Sequence, residues 1–153
     1  KNRWVDMDAS DPVRNPAAAF AFGAMFDLPD DALVIVASDG HLGALSYGIA
    51  WGIKNPMTGQ RIMPRDNMDV VAVTWLRQEW FRENVEDRYG QEGRIRLGAK
   101  TDDLADTVCE TISLNLPHRP VYLDLKTVQM LREAGREPET GYGVQLMPVV
   151  SAD

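Results

Sequence analysis

Asp39-Gly40-His41 places a carboxylate and an imidazole two residues apart, the kind of groups a small hydrolase uses to bind a metal or move a proton. Cys109 is the single cysteine, so no disulfide can form within the chain. As a nucleophile it would need a base, and the only histidines are His41 and His118. Their spacing from Cys109 matches no nucleophile–base motif. Trp75 and Trp80 offer either a stacking platform for a base or sugar, or aromatic core packing. Asp6, Asp8 and Ser10 open like a calcium loop. The pattern then fails, with Asp11 where glycine is needed and Ala17 where a bidentate Glu is needed. A Ser-His-Asp spacing, paired Cys or His ligands, a glycine-rich phosphate loop and an H-E-x-x-H run are all absent from the sequence.

These residues sit in or beside predicted elements. Ala32–Ser38 is a strand of β-branched and aliphatic residues that ends in a turn signal, Asp39-Gly40. Leu42–Ile53 is expected as a second strand, weakened by Gly43, Gly48 and Gly52, so that Asp39-Gly40 becomes a hairpin turn. The run from Asp31 to Gly40, D-A-L-V-I-V-A-S-D-G, is similar to a segment of metal-dependent protein phosphatases of the PPM family. In that family such an Asp helps hold a metal pair. The resemblance spans these residues alone, without the family's other acidic motifs, and the chain is too short for its fold. The metal role is therefore not transferred to Asp39.

Asn15-Pro16 opens a short helix, with Asn as cap and Pro at the first helical position. The helix reads A-A-A-F-A-F-G-A-M-F and is apolar all round, which a surface helix should not be. Either it is central or it docks on a second protein, and Phe20, Phe22, Met25 and Phe26 are the expected contacts. The long connection from Lys54 to Arg65 mixes Met57, Ile62 and Met63 with Arg61, which suits a partner-binding loop.

Pro64 to Gly90 is expected as one long helix capped at Asp66, with Asp69 completing a capping box and Gly90 as the stop. The competing reading is a strand over Val70–Trp75, because β-branched residues favour strands. Further on, Arg94–Gly98 is a short strand candidate and Thr101 caps a helix with Leu104, Val108, Thr111 and Ile112 inward. Val121–Leu123 is strand-like, Asp124 caps Leu125–Ala134, and Gly135 stops it. Val144–Val150 is a last edge strand, where Pro148 is tolerable.

At 153 residues the chain is sized for one domain. The expected organisation is an arm over 1–15 followed by a single α+β domain over 16–153, a small, partly antiparallel sheet packed by about four helices. The alternative is α/β. A net charge of −7 gives no electrostatic footprint for nucleic acid or an anionic membrane. The uncharged run from Asn15 to Phe26 is about half a membrane span. One cysteine and no apolar leader point to a cytoplasmic setting. The functional expectation is a non-catalytic assembly subunit, without cofactor, that docks on a protein partner or self-associates through the apolar helix. The alternative is a small metal-dependent hydrolase centred on Asp39 and His41.

Overall fold

The fold was analysed in a computed structural model that describes residues 16–54, 61–89, 94–143 and 145–152. Its centre is β1 (Leu33–Val36), four residues that are all buried. β1 pairs in parallel with β4 (Asp69–Ala72) on one side and β5 (Val121–Asp124) on the other. β7 (Leu146–Ser151) runs antiparallel to β5, and β6 (Glu139–Thr140) closes the sheet, giving the order β4-β1-β5-β7-β6. A separate two-stranded ribbon joins β2 (Ile53–Lys54) to β3 (Arg61–Ile62).

Among the described residues the helices are α1 (Pro16–Asp27), α2 (Asp39–Trp51), α3 (Glu79–Tyr89), α4 (Leu104–Asn115) and α5 (Leu125–Glu133), with a 3-10 helix over Val73–Arg77. A mixed sheet packed by helices makes this an α+β fold. None of the described helices is long and apolar enough to cross a membrane.

Alternation along β1 divides the core in two. Val34 and Val36 face a cluster with Phe20, Met25 and Leu45 of α1 and α2. Leu33 and Ile35 face a cluster with Phe81, Val108, Ile112, Val128 and Leu131 from α3, α4 and α5. Each such side chain, once fully buried, contributes about 1.5–3 kcal/mol relative to exposure.

Five expectations about elements are corrected. The stretch expected as a second strand is the helix α2, so Asp39-Gly40 opens a helix and is not a hairpin turn. Of its glycines, Gly43 faces open space and Gly48 packs on α1. Gly48 is buried, and a Cβ there would lie 3.5 Å from Met25 Cγ, so α1 and α2 cross closely at this point. Gly52, at φ +78°, ends the helix, and a side chain there would strike the Ile62 carbonyl.

The expected long helix after Pro64 is three elements: β4, the 3-10 helix and α3. The strand reading of the valines holds for Val70 and Val71, which pair beside Val34 and Ile35. Asp69 is no capping residue. Its Oδ2 accepts from Arg94 Nε at 2.7 Å and from Arg119 Nη1 at 2.8 Å. The Arg119 guanidinium is buried and also donates to the carbonyls of Asp31, Ala32, Asn67 and Arg94. It thus ties together the amino-terminal ends of β1 and β4 from the loop that leads into β5.

Arg94–Gly98 is not a strand. Its backbone groups are satisfied by side chains of α4: Asn115 accepts from Arg96 N–H and donates to the Arg96 carbonyl, and Thr111 Oγ1 accepts from Gly98 N–H. The cap of α4 is Asp103, which accepts from Ala105 N–H, and not Thr101. Nor is β7 an edge strand, since it lies between β5 and β6. Pro148 is tolerated inside it, and its carbonyl accepts from Gly141 N–H. The Asp124 cap and the Gly135 stop (φ +71°) of α5 are present as read. The 1–15 arm, its calcium-like positions, Met57 and Gly90 lie outside the described residues.

Candidate functional site at the switch point of the sheet

β1 and β5 lie side by side and parallel, but the chain leaves them in opposite directions. After β1 it passes through α2 to β4. After β5 it passes through α5 to β6 and β7. The two helices cover opposite faces of the sheet. In open sheets of this kind, the crevice outside the carboxyl ends of such strands is where ligands bind.

Asp124, the last residue of β5, stands at this point with its side chain fully buried. Both of its oxygens accept from Ala37 N–H, at 3.1 and 3.2 Å, and Oδ2 also accepts from Ser38 N–H at 3.2 Å. Oδ1 accepts from Thr127 N–H at 2.9 Å and from the Thr127 hydroxyl at 2.5 Å. One carboxylate therefore caps α5 and clamps the exit of β1. Burial pushes the Asp124 carboxyl up. The bonds from Thr127, Ala37 and Ser38 outweigh burial and hold it below the ordinary aspartate value, so it is ionised at neutral pH.

His41, in the first turn of α2, brings Nδ1 within 3.3 Å of Asp124 Oδ2. An ionised carboxylate only accepts, so this contact places a ring proton on Nδ1. The ring is fixed from the side by Phe20, stacked at 3.9 Å between centroids and 13° between planes. A buried carboxylate orienting a partly exposed imidazole is the arrangement that prepares a general base. Asp39 takes no part in it: it is exposed at the start of α2 and bonds to neither residue. Of the two expected site residues, the fold gathers His41 with Asp124 and leaves Asp39 at the surface. Asp124 was read only as a helix cap. No local signal marks its second role, because Ala37, Ser38 and His41 lie 87, 86 and 83 residues away in the sequence.

The other candidates separate. The Cys109 thiol donates to the Arg136 carbonyl at 3.5 Å and does not meet His118, which is exposed in the loop after α4. Burial pushes the Cys109 thiol up, so it stays protonated and a poor nucleophile at neutral pH. Among the described residues no three His, Cys, Asp or Glu side chains group as a metal site. Trp75 is partly buried and meets Trp80 edge-on at 5.6 Å, while Trp80 is 54% exposed.

The expected docking residues also divide. Phe20 and Met25 are buried inside the fold, packed under α2, and so present nothing to a partner. Phe22 is half-buried and stacks on Phe26, which is exposed. Arg61 and Met63 are exposed, and Arg61 donates to the Trp51 carbonyl at 2.6 Å. Tyr47 and Trp51 are exposed on α2 and were missed, because that stretch reads as a strand from its sequence.

Compared with known protein families, curated proteins and solved structures, the chain matches none of them.

Proposed function

We propose that this chain is an assembly subunit that docks on another protein chain through the outer face of α2 and the adjoining end of α1. The observation that supports this is the composition of the exposed face of α2. Gly43, Tyr47, Ala50 and Trp51 are exposed there, and after His41 the helix carries no ionisable group except the Tyr47 phenol. Trp51 is 64% exposed and Phe26 is 70% exposed. Arg65 holds these ends together, donating from its backbone to the Ile49 carbonyl and from Nη2 to the Met25 carbonyl. Contiguous exposed apolar area is characteristic of interaction sites, and Trp and Tyr are the residues on which binding energy concentrates.

Light scattering across a dilution series tests self-association, with Trp51→Asp and Phe26→Asp as the variants. Both positions are exposed, so the variants keep the fold. Association that both abolish supports docking between copies. A monomer at every concentration, unchanged by either variant, removes self-docking and leaves a different protein as the partner.

A second reading is a small hydrolase centred on Asp39-Gly40-His41 at the start of α2. The observation in its favour is the Asp124–His41 contact, with His41 as the base. The metal-dependent form of this reading requires a rise in melting temperature with Mg²⁺, Mn²⁺ or Zn²⁺ that Asp39→Ala removes. No rise with any of the three would sink that form.

A further inference from the structure

On the sheet face covered by α1, a cavity of about 540 Å³ opens between that helix, strands β5 and β7 and the segment around Tyr142. Its volume is that of a small-molecule site. It is independent of the docking face of α2. Tyr122 contributes aromatic surface to it, buried Phe20 also borders it, Leu146 and Pro148 extend the apolar lining, and Tyr142, 92% exposed, stands at its rim.

Two features restrict what fits. The first is charge. Among the described residues no Lys, Arg or His lines the cavity, and the charged side chain there is Asp27. Asp27 is the last residue of α1, where the helix dipole is negative, and that last turn carries no basic residue. A phosphate or carboxylate would meet repulsion there, whereas a cation would meet a carboxylate and aromatic rings.

The second feature is Gly23. It lies within α1, where glycine weakens a helix, yet a Cβ at this position would meet nothing within 4 Å. Packing therefore does not require the glycine. A side chain there would occupy the cavity that Gly23 lines.

We propose that this cavity binds a small organic cation with a flat apolar body, such as an aromatic amine. The ammonium group faces Asp27, and the body lies against Tyr122 and Tyr142.

The test is an NMR titration of the full chain with tyramine, 4-ethylphenol and 4-hydroxyphenylacetate, which share a ring and differ in charge. Tyramine should shift the Gly23 and Tyr142 amides and bind about tenfold more tightly than the neutral probe, with the anion weakest. Asp27→Asn should bring tyramine down to the level of 4-ethylphenol. Gly23→Leu should abolish binding of tyramine and 4-ethylphenol while keeping the melting temperature of the parent or raising it. Equal binding of all three probes, tyramine binding that survives Gly23→Leu in a folded variant, or no shift with tyramine at millimolar concentration would each overturn the proposal.

Discussion

Asp124 Oδ2 and His41 Nδ1 lie 3.3 Å apart across 83 residues of sequence. The same carboxylate binds the amides of Ala37, Ser38 and Thr127, so it joins the exits of two adjacent parallel strands. Few single side chains in this fold have as many partners.

Replacing that carboxylate is therefore expected to be costly. Asp124→Ala removes the α5 cap and leaves the partly buried Ala37 and Ser38 amides of the β1 exit without this acceptor. Loss of a cap costs about 1 kcal/mol, and an orphaned buried donor about 1–3 kcal/mol, so unfolding free energy should fall by roughly 3 kcal/mol. Urea denaturation measures it. A loss under about 0.5 kcal/mol, the range of ordinary surface substitutions, would mean that water replaces the carboxylate.

The pH dependence has a definite sign. The folded state holds the Asp124 carboxyl below its ordinary value, whereas the unfolded chain does not. Its contribution is complete above the unfolded value, about 3.9, and is lost as pH falls through the lower folded value. Wild type should therefore lose part of its advantage over Asp124→Asn, which cannot ionise, in that acid range. Paired urea curves between neutral and acid pH would show the gap shrink. A gap that stays constant would contradict the assignment.

Gly98 is held where no side chain fits. A Cβ there would lie 2.6 Å from the Thr107 carbonyl oxygen and 2.8 Å from Glu110 Cβ. Gly98→Ala should force residues 94–98 away from α4 and cost about 1–3 kcal/mol, the range of overpacked cores. Thermal unfolding reports this, and an unchanged midpoint would show that the segment moves freely.

At the opposite end of the parallel strands, Asp69 is the carboxylate between Arg94 and Arg119. Asp69→Ala leaves the buried Arg119 guanidinium with carbonyl partners but no counter-charge among those it contacts. Breaking a buried pair from one side costs about 3–5 kcal/mol. A denaturation midpoint equal to wild type would show that the carbonyls alone suffice.

Some elements were legible because their causes are local. β1 is a run of aliphatic residues before a polar stop. The capping of α5 by Asp124 and its termination at Gly135 follow from bonds within a few residues. The inward seam of α4, Leu104, Val108, Thr111 and Ile112, is a helical repeat that packs on the core as spaced. Helices about a mixed sheet follow from the order of such segments.

What the sequence alone misled on is what distant residues supply. Glycine-rich Leu42–Ile53 becomes a helix because α1 crosses it at Gly48, a contact between elements that no local pattern records. Val70 and Val71 become a strand because β1 offers an unsatisfied edge. Arg94–Gly98 avoids the sheet because Asn115 and Thr111 bind its backbone first. Sequence by itself determined the Asp124 cap, the Gly135 stop and the inward seam of α4, since those preferences act over a few bonds. Only the tertiary structure decided that Asp124 meets His41 and that Phe20 is core while Phe26 is surface. Parallel pairing and helix crossing join residues that are far apart in the chain and carry no mark of one another.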